Sequence, residues 1–265
     1  MTVRVAIAGP RGKMGKEAVH TVMKATDMEL VAVLDHREIA MNLTAYSEFP
    51  ENYDVAVYTD LEALIKDTKP DVFVDLTTPK AVYTHTKTLL EHHVRPVIGT
   101  TGFTDEQLQE VTDLAKANGT GAIIAPNFAI GAVLMMKFAA EAAKYMPDVE
   151  IIELHHDQKL DAPSGTGVKT AQLIAQNRPA HKQGHPEEHE TIQGSRGGDI
   201  EGMRIHSVRL QGLVAHQEVL FGGEGQMLTI RHDSYNRASF MSGVKLCIEK
   251  VVDLNELVYG LENLL

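Results

Sequence analysis

The chain has 265 residues, 43 % of them hydrophobic, enough for one large domain or two of moderate size with sizeable cores. The formal net charge of −11 argues against nonspecific binding to nucleic acid or anionic membranes. There is no apolar run of about 18 residues, and the first residues are too soon interrupted for a signal peptide. We therefore expect a cytoplasmic protein with no membrane or nucleic-acid partner.

Short apolar segments alternate with segments of helical periodicity through the first half of the chain. This alternation is typical of a parallel sheet covered by helices on both faces, so we predict a doubly wound α/β domain over residues 1–128. The predicted strands are 3–8, 30–35, 71–77, 121–128 and a strand that runs into a polar turn within 95–102. The predicted helices are 15–25, 61–67, 81–93 and 105–119.

The pattern changes after residue 128 and predicts an α+β domain over residues 129–239. We expect helices at 129–146 and 166–176, a strand at 149–156 and a polar loop at 177–202. The segment 205–233 alternates like strands of an antiparallel or mixed sheet. A C-terminal helix within 240–265 is predicted to pack back on the first domain. It contains the only cysteine, Cys247, which we interpret as a buried helix residue.

Three glycines follow the first strand and open the first helix. Residues 9–15 read GPRGKMG, which places Gly9, Gly12 and Gly15 at every third position. Such glycines let a backbone approach a pyrophosphate, whose charge the helix N-terminus favours. Asp35 ends the second strand, where a carboxylate can accept hydrogen bonds from the adenosine ribose. Together these features predict dinucleotide binding, although the glycines alone also fit an ordinary tight turn.

The choice between NADH and NADPH stays open at the sequence level. The charge of Asp35 disfavours a 2′-phosphate, whereas Arg11, Lys13, His36 and Arg37 could each counter it.

Two further turns end strands of the same predicted sheet. They read GTTG at 99–102 and APNF at 125–128. Because ligands of doubly wound folds bind beyond the carboxyl ends of the strands, both turns are candidates to line the nicotinamide. Ordinary turn chemistry would also account for them.

The segment HHDQKLDAPSGTG at 155–167 combines two imidazoles, an amine and a helix start. His155, His156 and Lys159 place up to three positive charges in five residues, which indicates an anionic ligand, although a solvated basic loop would also account for them. Histidine suits proton transfer near neutral pH, and lysine can donate a proton or stabilise a developing negative charge. We predict no metal site, because adjacent strand residues point to opposite faces and no carboxylate or cysteine partner is evident nearby.

The start of the helix that follows has two interpretations. Its unpaired backbone N–H groups could hold a carboxylate, or Ser164 or Thr166 could cap the helix.

The chain resembles the 4-hydroxy-tetrahydrodipicolinate reductases of bacterial lysine and diaminopimelate synthesis over nearly its whole length. The resemblance rests on VAIAGPRGKMG at the start, GTTGF (99–103), APNFAIG (125–131), HHDQKLDAPSGT (155–166), RGGDIEG (196–202), the long segment 206–234 and NRASF (236–240). It implies a homotetramer in which an N-terminal Rossmann domain precedes a C-terminal domain for substrate binding and assembly.

The resemblance also implies roles for individual residues. His155 and Lys159 correspond to catalytic residues, and His156, Ser164, Gly165 and Thr166 correspond to the substrate site. The residues that correspond to cofactor contacts are Gly9, Pro10, Arg11, Gly12, Lys13, Met14, Asp35, His36, Gly99, Thr100, Thr101, Ala125, Pro126, Asn127 and Phe128. Many relatives carry arginine at the position of His36, so this departure leaves the NADH or NADPH preference open.

The implied reaction explains the cationic segment. The substrate of the family is a small cyclic imine with two carboxylates, and a nicotinamide cofactor delivers hydride to its C4 as the 4-hydroxyl leaves as water. Either His155 or Lys159 supplies the proton.

The competing interpretations are a semialdehyde dehydrogenase, for which Cys247 would have to be the nucleophile, a sensor that binds NAD(P)H without turnover, and a diverged reductase of another small dicarboxylate.

Overall fold

The computed structural model describes residues 2–37 and 41–265. Contacts between Cα atoms divide the chain into two compact units. One consists of residues up to Ile130 together with Arg237–Leu265, and the other consists of Gly131–Asn236. The chain therefore passes twice between the units, and its C-terminal segment is part of the first.

A sheet of seven parallel strands forms the centre of the first unit. The strands are β1 (Val3–Ala8), β2 (Met28–Leu34), β3 (Val57–Tyr58), β4 (Val72–Asp75), β5 (Arg95–Ile98), β6 (Ala122–Ile124) and β12 (Leu257–Tyr259). Their order is β3-β2-β1-β4-β5-β6-β12. The direction of the order reverses between β1 and β4, where a doubly wound sheet opens a crevice at the carboxyl ends of its strands. The predicted α/β class is confirmed.

The described part of the first unit has five α-helices: α1 (Lys13–Lys24), α2 (Leu61–Thr68), α3 (Pro79–Glu91), α4 (Asp105–Asn118) and α7 (Met241–Val251). Their ends follow local chemistry. Thr104 and Gln107 form a reciprocal capping box at the start of α4, and Gly119 ends this helix in the left-handed region at φ 58°. Asp60 caps α2 by accepting a hydrogen bond from Ala63 N at 2.7 Å.

The C-terminal segment contains the helix predicted within 240–265 and, after it, a strand that was not predicted. Helix α7 ends at Val251, and the chain then adds β12 to the sheet in parallel with β6. Leu257 of this strand packs against the cluster that contains Val111 and Ala115. Three residues are too few to show the two-residue period of a strand in the sequence. The strand is therefore recognised only by its pairing with the edge of β6.

The second unit contains a mixed five-stranded sheet, as predicted. Its strands are β7 (Asp148–His155), β8 (Gly198–Ile200), β9 (Met203–Arg209), β10 (Ala215–Gly223) and β11 (Gln226–Ser234). The order is β11-β10-β7-β9-β8, and only the β7–β9 pair is parallel. Strand β8 lies within the segment 177–202, which was predicted wholly as a loop. Its three residues pair with β9 at the edge of the sheet.

Two helices, α5 (Ile130–Ala142) and α6 (Gly165–Ala175), supply apolar side chains to the core of this unit. Helix α5 is shorter than the predicted 129–146. It ends at Ala142, and β7 begins at Asp148. On β7 the side chains of Val149 and Ile151 are buried in the core. The alternation continues along the strand, so residues 153 and 155 lie on the same face.

The glycine turn after β1 generates a stability prediction. A Cβ on Gly15 would lie 1.9 Å from the carbonyl oxygen of Gly9. We expect Gly15→Ala to lower the free energy of unfolding by about 3 kcal/mol or more, since backbone would have to move. Gly119→Ala is the control, because a Cβ there meets nothing within 4 Å and costs only about 1 kcal/mol for its left-handed φ. Urea titration followed by circular dichroism measures both, and equal losses would contradict the steric argument.

Candidate active site

The glycine turn leaves the start of α1 open to an anion. Gly9 has φ 77°, and Gly15 lies so close to its carbonyl oxygen that no side chain fits. Gly12 occupies the N-cap position without a side-chain hydrogen bond, and no acidic residue occurs in the first turn. The backbone N–H groups at the start of α1 and the positive end of its dipole are therefore not neutralised by an acidic side chain of this turn. The residues present fit the pyrophosphate of a dinucleotide.

Asp35 lies at the end of β2 and is paired with the turn after β1. Its side chain is 4 % exposed and accepts hydrogen bonds from Arg11 Nε at 2.5 Å and Arg11 Nη2 at 2.8 Å. Burial raises the pKa of the carboxyl, but the Arg11 guanidinium and the N–H of Arg37 outweigh it and hold the pKa below its ordinary value. The acid predicted to bind ribose therefore already carries a bound cation.

The other charged candidates lie further out. His36 has an 83 % exposed side chain, with Nδ1 at 3.6 Å from Asp35 Oδ1. Lys13 is exposed in the first turn of α1. Arg11 also places its guanidinium carbon 5.6 Å from the centre of the Tyr46 ring. Among the cations proposed to counter a 2′-phosphate, Arg11 is the one held in a fixed position by two partners.

A cavity of about 440 Å³ lies at the carboxyl ends of β4, β5 and β6. It brings together the predicted residues Met14, Gly99, Thr100, Thr101, Pro126, Asn127 and Phe128. Pro10 and Ala125 of the same turns are buried and are absent from the lining. Sequence reasoning missed four lining residues: Leu76, Thr77, Pro79 and Phe240.

The turn after β4, which was not predicted from the sequence to be part of a site, is stabilised by hydrogen bonds to a buried aspartate. Asp75 is 0 % exposed and accepts hydrogen bonds from Thr77 N at 2.9 Å and Thr77 Oγ1 at 2.6 Å. His85 Nδ1 lies 2.7 Å from its other oxygen. An acid followed by Leu-Thr-Thr-Pro at a strand end was the available signal, because such a turn lies at the same sheet edge as the turns after β5 and β6.

In the second unit, His155 is bound to an acid of its own strand. Its Nδ1 lies 2.5 Å from Glu153 Oε2, and its side chain is 14 % exposed. The Glu153 side chain is completely buried and is also paired with Arg209. Burial lowers the pKa of His155, although the carboxylate acts in the opposite direction. Burial would raise the pKa of Glu153, but Arg209 and His155 hold it below its ordinary value.

The other cationic residues lie just beyond the end of β7. Lys159 Nζ is 2.7 Å from Asp161 Oδ1, with the lysine side chain 22 % exposed and the aspartate 59 % exposed. His156 is exposed, and its carbonyl oxygen accepts a hydrogen bond from Lys159 N at 3.2 Å. An anionic ligand that binds Lys159 would therefore displace the exposed carboxylate of Asp161.

Ser164 resolves one alternative at the start of α6. Its Oγ accepts a hydrogen bond from Gly167 N at 3.1 Å, and the side chain is buried, so it caps the helix. Gly165 is exposed in the first position of the helix, and a Cβ there would meet nothing within 4 Å. Thr166 follows and is half-buried. The first turn of α6 thus remains accessible beside the capping hydroxyl.

The expectation that no carboxylate partner is nearby was wrong. Glu153 contacts His155 directly, and Arg209 contacts Glu153. Within residues 2–37 and 41–265 no three His, Cys, Asp or Glu side chains lie close enough together to hold a metal ion. The Glu153 carboxylate accepts hydrogen bonds from the histidine and the arginine.

Cys247 does not have the setting of a nucleophile. Its side chain is completely buried in α7, and burial raises the pKa of the thiol to about 12. A thiol with that pKa is not a thiolate at neutral pH, so the chemistry of a semialdehyde dehydrogenase is not available to it.

A doubly wound sheet, a glycine turn and a cavity beyond the strand ends define a dinucleotide-dependent oxidoreductase with a Rossmann-type nucleotide domain. The chain belongs to the dihydrodipicolinate reductase family. Residues 3–128 match the family model of the N-terminus, and residues 131–265 match that of the C-terminus.

Proteins similar to this chain carry consistent names. The 4-hydroxy-tetrahydrodipicolinate reductase of Lysinibacillus sphaericus is 66 % identical over 100 % of both chains, and that of Listeria monocytogenes is 60 % identical over 99 % of this chain and 100 % of its own. A solved structure of dipicolinate-bound dihydrodipicolinate reductase from a Paenisporosarcina species has a TM-score of 0.93. It is 66 % identical and covers 100 % of both chains. The resemblance seen in the sequence is confirmed.

The lowered pKa of His155 predicts how stability depends on pH. Its folded-state pKa lies below the ordinary value of 6.5, so the unfolded chain binds the proton first as pH falls. The free energy of unfolding should therefore fall as pH drops below about 6.5, with a slope of at most about 1.4 kcal/mol per pH unit from this group. His232, whose pKa burial also lowers, adds to the same slope.

Urea titrations between pH 7.5 and pH 5 measure this slope. His155→Gln should flatten it, whereas His189→Gln, a change in the exposed loop, should leave it as in the wild type. A slope that His155→Gln does not reduce would contradict the assignment.

Proposed function

We propose that this chain catalyses the NAD(P)H-dependent reduction of 4-hydroxy-tetrahydrodipicolinate to tetrahydrodipicolinate, with loss of water, in diaminopimelate and lysine biosynthesis. The observation that carries the proposal is the group formed by His155, Lys159 and the first turn of α6, all within one short segment. It provides a proton-transfer group, a cation and a helix N-terminus for a small dianion. Full-length similarity to reductases of that name supports the substrate.

Binding of the substrate is assigned to the cationic end of β7. One carboxylate contacts Lys159, which releases Asp161, and the N–H groups of Gly165 and Thr166 hold the other. His156 adds an exposed imidazole beside Lys159, and Ser164 fixes the helix start through its cap. A neutral cyclic imine would lack both charge contacts, which accounts for selection of a dicarboxylate.

The chemistry is divided between cofactor and protein. NAD(P)H, when bound, supplies the hydride that reaches C4 of the ring as the C4–O bond breaks. The cofactor is assigned to the glycine turn, Asp35 and His36, and to the turns after β5 and β6. The protein supplies the proton that leaves with the hydroxyl as water. His155 is paired with Glu153 and Lys159 is paired with Asp161, and each is a candidate for the residue that donates this proton.

The domain roles and the assembly are part of the same proposal. Residues 1–128 with the C-terminal segment form the nucleotide-binding domain, and 129–239 form the domain for substrate binding and assembly; the two compact units support this division. A homotetramer is proposed from the family resemblance. The exposed side chains of Met227 and Leu228 on the edge strand β11 support an assembly surface in the second unit.

A cytoplasmic location is proposed on the same grounds. No helix in the described part of the chain has the length and apolarity needed to cross a membrane. The chain is also similar to biosynthetic reductases, whose small-molecule substrates we expect in the cytoplasm.

The first test is oxidation of NADH and NADPH with freshly generated 4-hydroxy-tetrahydrodipicolinate. We expect turnover by the wild type and a loss of kcat of about 10²–10⁴-fold in both His155→Ala and Lys159→Ala, because each removes a group that holds charge or a proton in the transition state. Lys144→Ala is the matched control, since its amine pairs with Glu141 on the surface of the same unit. Tight dinucleotide binding without oxidation by the wild type would instead favour a sensor or a diverged reductase.

The second test concerns the cofactor preference and measures binding rather than turnover. Arg11 neutralises Asp35, so its removal leaves a negative charge where a 2′-phosphate would lie. We expect Arg11→Ala to weaken NADPH relative to NADH by about tenfold, the value of one charge-assisted contact. Fluorescence titration of both nucleotides gives the ratio. Arg4→Ala, which breaks the surface pair with Glu29, should leave the ratio unchanged, and an unchanged ratio in Arg11→Ala would contradict the role.

A further inference from the structure

The carboxylate of Glu153 lies between His155 and the start of α6, and it accepts hydrogen bonds from His155, Arg209, the backbone of Ser164 and the side chain of Ser207 on β9. Oε2 accepts from His155 Nδ1 at 2.5 Å and from Arg209 Nη1 at 2.9 Å. Oε1 accepts from Arg209 Nη2 at 2.8 Å and from Ser164 N at 3.2 Å. The group is completely buried, so its charge is balanced by these partners rather than by solvent.

The geometry selects one tautomer of His155. An ionised carboxylate only accepts hydrogen bonds, so the proton on the imidazole ring must lie on Nδ1. Nε2 is then the atom that takes or gives the exchangeable proton. Protonated His155 releases its proton from Nε2 and returns to the neutral Nδ1–H form, with the contact to Glu153 retained throughout.

Three charged groups act on this imidazole. Glu153 contacts it from its own strand, Arg209 lies in register with it on β9, and Lys159 follows in the turn. On β10 the residue in register with His155 is Ala215, which carries no charge. The guanidinium engages both oxygens of Glu153, which limits how strongly the carboxylate can favour the imidazolium. The burial that lowers the pKa of His155 acts in the same direction as Arg209.

We propose that Glu153 is a positioning residue that fixes the Nδ1–H tautomer of His155 and presents Nε2 for proton transfer, and that Arg209 sets how much of the carboxylate charge the histidine experiences. This rests on the proposed reductase function and deepens it. Because Ser164 N also binds Glu153, the same carboxylate ties the proton-transfer group to the helix start assigned to the substrate.

The two partners of the carboxylate predict pKa shifts of opposite sign. Glu153→Gln removes the negative charge, so the pKa of His155 should fall. Its amide can also donate to Nδ1, which moves the proton to Nε2. Arg209→Gln exposes the imidazole to the full carboxylate charge, so the pKa should rise. Arg209→Lys retains the cation and should return the pKa most of the way to the wild-type value. A residue with only a structural role would not produce this pattern.

The experiment combines ¹⁵N NMR of histidine-labelled protein with the pH dependence of kcat. Glu150→Gln is the matched control, because Glu150 is on the same strand and binds Arg196 at 2.6 Å and His206 at 2.8 Å away from the candidate site. We expect Glu153→Gln to show the Nε2–H tautomer and a loss of kcat of about 100-fold, with KM changed far less. Glu150→Gln should keep the wild-type tautomer, kcat and pH profile.

A wild-type tautomer and pH profile in Glu153→Gln would overturn the proposal. Should that variant not fold, the two Arg209 variants decide it: no upward shift in Arg209→Gln, or no return in Arg209→Lys, would also overturn it. Failure of the reductase assignment is separate. It would appear as no turnover of 4-hydroxy-tetrahydrodipicolinate by the wild type, whereas the tautomer of His155 is measured without substrate.

Discussion

The buried carboxylate of Glu153 is the constraint on which the candidate active site depends. An ionised acid is costly in a protein interior unless its oxygens are paired, and here the partners are an imidazole, a guanidinium, a serine side chain and a backbone N–H. Each partner is thereby held in place. Neutralising this one group would release His155, Arg209 and the start of α6 together, so the charge organises the site as well as stabilising it.

The first unit uses a similar arrangement at the turns proposed to bind the nucleotide. Asp35 and Asp75 are both buried at carboxyl ends of strands, and each fixes a neighbouring turn, Asp35 through Arg11 and Asp75 through Thr77. Turns that must contact a ligand cannot be buried by apolar packing, because their backbone groups need partners. A buried acid supplies those partners and leaves the outer surface of the turn exposed.

The close approach of backbone segments sets the remaining limits. A side chain on Gly15 would lie 1.9 Å from the oxygen of Gly9, and one on Gly243 would lie 1.9 Å from the oxygen of Phe128. The first contact keeps α1 against the glycine turn after β1. The second keeps α7 against the turn after β6, which lines the cavity. The C-terminal segment thus supports one wall of the cavity in the first unit, although it is far in sequence from most of the lining residues.

The amino-acid sequence by itself determined the strand and helix alternation, the glycine turn and the segment from His155 to Thr166, because these depend on local periodicity and residue spacing. Glu153 could have been found from the alternation Val149, Ile151, Glu153, which places an acid on a buried face. Its pairing with Arg209, the engagement of Asp35 by Arg11 and the existence of β12 were decided only by the tertiary structure. Each joins residues far apart in the chain, and local pattern carries no information about which distant charge or free strand edge a folded chain brings within reach.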